Sequence, residues 1–77
     1  DLHYQQALAA NRRDPDLLSD VGYSHLLRGN LTESERYLKE ALEVNQYHRM
    51  AMAHLGQVYA KQGKYDAALA MFRQVAT

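Results

Sequence analysis

Residues 54–72 read HLGQVYAKQGKYDAALAMF and carry two glycines, Gly56 and Gly63, seven positions apart. The surrounding residues are good helix formers, and glycine inside a helix costs about 1 kcal/mol relative to alanine. A chain that accepts this twice within two turns needs the glycines for something. Working outward, the same pair recurs: Gly22 and Gly29 precede Gly56 and Gly63 by 34 residues each. On that offset Leu18 falls on Met52, Val21 on Leu55, Leu31 on Tyr65, Leu38 on Phe72 and Leu42 on Ala76. A partial third copy comes earlier, with Tyr4, Ala7, Leu8 and Asn11 overlaying Leu38, Ala41, Leu42 and Asn45. Self-similarity at a fixed period of this size is the mark of a repeat architecture.

Each unit divides into two helices. Leu17, Leu18, Val21 and Leu26 recur at helical spacing, as do Met52, Leu55, Val58 and Tyr59. Both runs stop at a glycine, Gly29 or Gly63, where the left-handed conformation that closes a helix carries no Cβ penalty. A second helix follows at once, with Leu31, Leu38, Ala41 and Leu42 as one apolar stripe and Tyr65, Ala68, Leu69 and Phe72 as its copy. Asp14 before Pro15 reads as an N-cap and first helical position. Asn30 with Glu33 has capping-box spacing. Glu35–Lys39 and Arg36–Glu40 are i,i+4 pairs. The pattern predicts five helices, at about 2–11, 15–28, 31–44, 48–62 and 65–76. Gly56 lies in mid-helix, where no turn is needed, so its predicted service is steric: it lets the returning helix approach closely, with Ala67, Ala68 and Ala70 as the small surfaces opposite.

Composition narrows the function classes. Nine basic and nine acidic side chains cancel in 77 residues, so no broad field steers the chain to nucleic acid or an anionic bilayer. Arg12–Arg13 and scattered lysines make no basic stripe. Cysteine is absent, which removes disulfide frameworks and thiolate metal sites and leaves the compartment open. Apolar runs fall far short of the roughly 20 residues that span a bilayer, and no basic-then-apolar leader opens the given sequence. His3, His25, His48 and His54 fall in different parts of the repeat and form neither an i,i+4 pair nor HExxH. Ser19, Ser24 and Ser34 have no nucleophile motif around them, and no glycine loop suits a phosphate. The expectation is a non-catalytic chain with no cofactor and no metal.

The period, glycines and core pattern together resemble the tetratricopeptide repeat family. Its large apolar residue, Leu, Gly and Tyr on the first helix match Met52, Leu55, Gly56 and Tyr59, and its small residue and aromatic on the second match Ala68 and Phe72. Leu18, Val21, Gly22, Ser34, Leu38 and Ala41 fit more loosely. His25, Gln46 and Val75 depart from the pattern, standing where Tyr, Pro and a small residue are usual, and the place of a packing Tyr implies that His25 is a hydrogen-bonded, partly buried imidazole. The resemblance implies an all-α, right-handed superhelix of antiparallel helix pairs. Residues 1–14 would be the second helix of a preceding repeat, 15–48 a full repeat and 49–77 a nearly full one, cut from a longer array.

What the resemblance implies for function is a concave face, lined by first helices, that holds a peptide or helix of a partner protein. Carried over by position, that face comprises Asp16, Ser19, Tyr23 and Leu26, then Met50, Ala53, Gln57 and Lys61, with Tyr47 and His48 at the approach. Helical spacing independently puts each set near one face. Family members that hold terminal carboxylates of chaperone peptides use Lys, Asn and Arg there. Ser19, Tyr23, Ala53 and Gln57 occupy those places here and Asp16 has the wrong sign. The reading is therefore against such a carboxylate, and for a neutral segment or one with a basic residue opposite Asp16. The alternative is self-association through open repeat ends at Leu2, Leu8, Leu69 and Val75, since uncapped repeats expose apolar faces.

Overall fold

The computed structural model describes residues 14–76 as four helices. They are α1 (Pro15–Leu27), α2 (Leu31–Val44), α3 (Arg49–Lys61) and α4 (Tyr65–Ala76). Each lies within about two residues of its expected span. The helix expected at 2–11, together with Leu2, Leu8 and His3, lies outside the described residues.

Local chemistry sets the boundaries. Asp14 Oδ1 accepts from the backbone N–H of Asp16 at 2.9 Å and of Leu17 at 3.4 Å, and Pro15 opens α1. The exits from α1 and α3 are the same device twice. Gly29 and Gly63 both have φ of 80°. Around them the N–H of Asn30 donates to His25 O at 2.9 Å and that of Gly29 to Leu26 O at 3.0 Å. Lys64 N–H donates to Tyr59 O at 2.8 Å, and Gly63 N–H to Ala60 O at 3.1 Å. These are Schellman closures, which satisfy the last carbonyls and reverse the chain.

The expected capping box at Asn30 does not form. Asn30 makes no side-chain cap bond; its amide turns back toward His25 Nδ1 at 3.5 Å. Glu33 pairs instead with Arg36 at 2.9 Å. The closure of α1 fixes Asn30 at φ −84° and ψ 74°, and that backbone sends its side chain to the helix just ended. The Glu35–Lys39 pair forms at 2.8 Å.

Leu18, Val21, Leu26, Leu38, Ala41, Ala51, Leu55 and Val58 form the buried core, drawn from α1, α2 and α3. The mid-helix glycines are where the second helices cross. A Cβ built on Gly22 would lie 2.7 Å from Leu38 Cγ, and one on Gly56 would lie 2.6 Å from Phe72 Cε1. Steric service is thus the role of both, but a large side chain, not the predicted alanines, fills the space opposite. Ala68 is buried, whereas Ala67 is only half-buried and Ala70 exposed. The first approach also brings Ser34 Oγ within 2.6 Å of the Gly22 carbonyl, to which it donates.

Every helix packs on its sequence neighbour between α1 and α2, α2 and α3, and α3 and α4, and α1 also packs on α3. Among the described residues α4 touches no other helix than α3. The first helices of the two units therefore lie side by side, with the second helices behind them. On the second-helix side, Gln62 Nε2 donates to Glu35 Oε1 at 3.1 Å across the two units.

Candidate partner-binding face

The face under consideration is the seam between α1 and α3. Its upper end is built by the loop at 45–48. Asn45 Oδ1 accepts from Tyr47 N–H at 3.1 Å, an Asx turn that delivers His48 to the start of α3. His48 Nδ1 then accepts from Ala51 N–H at 3.1 Å, so an imidazole serves as the N-cap. Its other nitrogen, Nε2, lies 2.6 Å from Asp16 Oδ1 on α1. With Nδ1 accepting, Nε2 carries the proton and donates to the carboxylate. One side chain thus starts a helix and ties it to its neighbour.

About two turns further along, Tyr23 of α1 stacks on His54 of α3, with ring centroids 4.2 Å apart and planes 20° from parallel. His54 is 8% exposed, and its Nδ1 is buried without a hydrogen-bond partner. Burial holds its pKa below the ordinary 6.5, against the opposing pull of Asp20 and with some help from His48. Asp20 and Asp16 are exposed on α1, one turn apart.

Sequence-predicted residues divide into three groups. Asp16, Tyr23, Tyr47, Met50, Gln57 and Lys61 are exposed, and His48 and Ala53 half-buried. Leu26 and Ser19 are closed off. Leu26 belongs to the core cluster, because its place in the last turn of α1 faces α2 and α3 rather than the seam's rim. Ser19 is 2% exposed, with its Oγ unpartnered. Third, Leu69 is exposed and Val75 half-buried on α4; the Val75 carbonyl accepts from Arg49 Nη2 at 2.5 Å.

His54 is the residue that sequence reasoning missed. Its spacing to the other histidines bears only on metal ligation, and its partner Tyr23 is too distant along the chain for any local pattern to pair them. His25, standing where the family has a packing Tyr, is half-buried as expected; its Nδ1 lies 3.5 Å from the Asn30 amide and its ring stacks on Tyr37 at 5.4 Å. Burial lowers its pKa first, and Arg28 second. Among the described residues no group of three or more His, Cys, Asp or Glu is placed to hold a metal ion, and no helix is long and apolar enough to cross a membrane.

A pair of units on one period, closed by matching turns and pinched by matching glycines, defines a helical-repeat protein. The sequence pattern of the tetratricopeptide repeat matches residues 13–77, and the chain belongs to that family. It is also similar to the "Probable UDP-N-acetylglucosamine--peptide N-acetylglucosaminyltransferase SPINDLY" of Oryza sativa subsp. japonica, 37% identical over 60 residues. That match takes in 78% of this chain and 6% of the rice protein, so the chain spans a small part of that relative's length. Tetratricopeptide repeats are non-catalytic modules that generally mediate protein–protein interaction.

Proposed function

We propose that the chain is a non-catalytic scaffold whose α1–α3 face holds a peptide or helix of another protein. The observation that carries this reading is the division of labour among side chains. Core apolar groups account for the mutual packing of the helices, while Tyr23, Met50 and Gln57 stand on the first-helix face outside the core cluster. Tyrosine supplies flat contact area with a polar tip, methionine adapts to the surface it meets, and glutamine both donates and accepts toward a backbone.

A photo-crosslinking amino acid at Gln57, compared with one at exposed Thr32 on α2, tests the reading in cells that express the chain. The expected result is a discrete heterologous adduct from position 57 that is absent from position 32 and diminished by Tyr23→Ala. Equal labelling at both positions, or none at either, overturns it.

Self-association is the second reading, and α4 is its support. Tyr65, Leu69 and Phe72 stand exposed along that helix, an apolar row at the end of the described array. Light-scattering mass over a dilution series discriminates: the scaffold reading expects a constant mass, and self-association a mass that falls on dilution and on Leu69→Glu.

A further inference from the structure

The seam between α1 and α3 is closed at two places, and each closure rests on an imidazole. At the upper end His48 holds both helices, with Nδ1 accepting from Ala51 N–H and Nε2 donating to Asp16. About two turns along, His54 is sealed under Tyr23, its Nδ1 buried and unpartnered. Tyr23 itself is 37% exposed, so the covering ring has solvent to move into while the ring beneath it has none.

A neutral imidazole is tolerated in this place, because its unpartnered nitrogen forfeits one hydrogen bond and no more. An imidazolium is not: both nitrogens then carry protons, and a buried charge whose donor meets no acceptor is far more costly. The charges that act on His54 are Asp20 across the seam, which favours the cation, and His48 on its own helix, which opposes it. Among the described residues α2 and α4, which also pack on α3, add none. Desolvation outweighs Asp20 and keeps the pKa of His54 below 6.5.

The other ties between the two units survive acid. A protonated His48 gives up its cap to Ala51 but keeps Asp16, now as a charge-assisted partner, which is the stronger form of that contact. On the second-helix side Gln62 Nε2 donates to Glu35. The Lys39 ammonium holds the Glu35 carboxyl below its ordinary 4.5, so that bond persists through the range in which histidines titrate. Acid therefore releases one corner of the interface and leaves two held.

We propose that the Tyr23–His54 stack is an acid-operated latch: protonation of His54 lifts Tyr23 and parts α1 from α3 toward their C-terminal ends, with the Asp16–His48 contact as the pivot. The latch rests on the scaffold reading only for its consequence, which is that the partner face has one shape at neutral pH and another in acid. Its operation needs no partner, so its test and the crosslinking test fail independently.

The chain has no cysteine, so spin labels can be placed at will. Leu27→Cys with Lys61→Cys puts labels on the last residues of α1 and α3, both exposed. Gln57→Cys with Arg73→Cys, exposed on α3 and α4, reports on motion within one unit. Between about pH 7.5 and about pH 5, pulsed electron resonance is expected to show the first distance lengthening by about 2 Å or more. The second distance is expected to stay fixed, and circular dichroism to stay helical. His54→Phe keeps a flat ring under Tyr23 and cannot titrate, so it is expected to hold the first distance at its neutral value. In the parent chain the His54 Cε1–H resonance is expected to titrate with the same midpoint as the distance, a measurement that needs no variant to fold. A first distance indifferent to pH, a change that survives His54→Phe, or midpoints that differ would overturn the latch. So would a lengthening accompanied by loss of helix, which marks global unfolding.

Discussion

Gly22 and Gly56 occupy one position of the repeat, yet what stands opposite differs in freedom. Leu38 is wholly buried, whereas Phe72 is 40% exposed. A methyl group on Gly22 would meet Leu38 Cγ at 2.7 Å and the Ser34 carbonyl at 3.3 Å, with no room for either to yield. On Gly56 the three nearest atoms it would meet all belong to the Phe72 ring, which has solvent to swing toward. Alanine gains about 1 kcal/mol of helix propensity at either site, and overpacking a tight core costs about 1–3 kcal/mol. Gly22→Ala is expected to lower stability by about 1–2 kcal/mol, while Gly56→Ala stays within about 1 kcal/mol of the parent. Urea midpoints at constant m-value are the measurement, and equal losses at both sites would contradict the account.

Ser34 is a related case. Its hydroxyl donates to the Gly22 carbonyl inside the helix crossing, and the corresponding residue of the next unit, Ala68, has no hydroxyl to offer. A buried hydrogen bond of this kind contributes about 1 kcal/mol net. Ser34→Ala should cost that much in the same urea titration, and a neutral result would mean the contact adds nothing beyond packing.

At the scale of elements, the turns matter more than the helices they join. Gly29 and Gly63 have φ of 80° and open space where a Cβ would go. Strain is therefore the whole penalty for substitution, since an L-residue in this region costs about 1–2 kcal/mol. Gly63→Ala is expected to cost about 1 kcal/mol, and D-alanine introduced there by synthesis to stabilise, since it favours positive φ and narrows the unfolded ensemble. Thermal midpoints of the two synthetic chains check this, and a D-alanine chain that melts below the L-alanine one would refute it. These turns were legible in the sequence because a helix exit is a local event written in a few consecutive residues. Asn30 departs from its expected role for the opposite reason: its spacing to Glu33 suits a cap, but the closure of α1 commits its backbone.

On the scale of the whole molecule, the α1–α3 seam couples the two units, and histidine makes that coupling sensitive to pH. Burial lowers the pKa of His54 at the seam below 6.5, and likewise that of His25, which packs against Tyr37 of α2 instead. Lowered values mean that the unfolded chain takes up protons first as pH falls. Stability is then full above about 6.5 and declines below it until the folded imidazoles themselves titrate. The carboxylates Glu33 and Glu35, lowered by Arg36 and Lys39 respectively, act in a separate window below their ordinary 4.5. A urea midpoint that drops between pH 7 and pH 5.5, with a shallower drop in His54→Phe, is the expected outcome. A flat profile across that interval would remove the histidines from the stability of the seam.

The chain's sequence by itself determined the 34-residue period, the helix spans, the two glycine turns and the close crossings at Gly22 and Gly56. All of these follow from residues near one another or from a repeated pattern. Only the tertiary structure decided that Leu38 and Phe72 fill those crossings, that Leu26 and Ser19 are buried, and that Asp16 meets His48 and Tyr23 meets His54. Those contacts depend on how the four helices are rotated and offset against one another. That geometry comes from the packing of all the side chains together, and no short stretch of sequence encodes it.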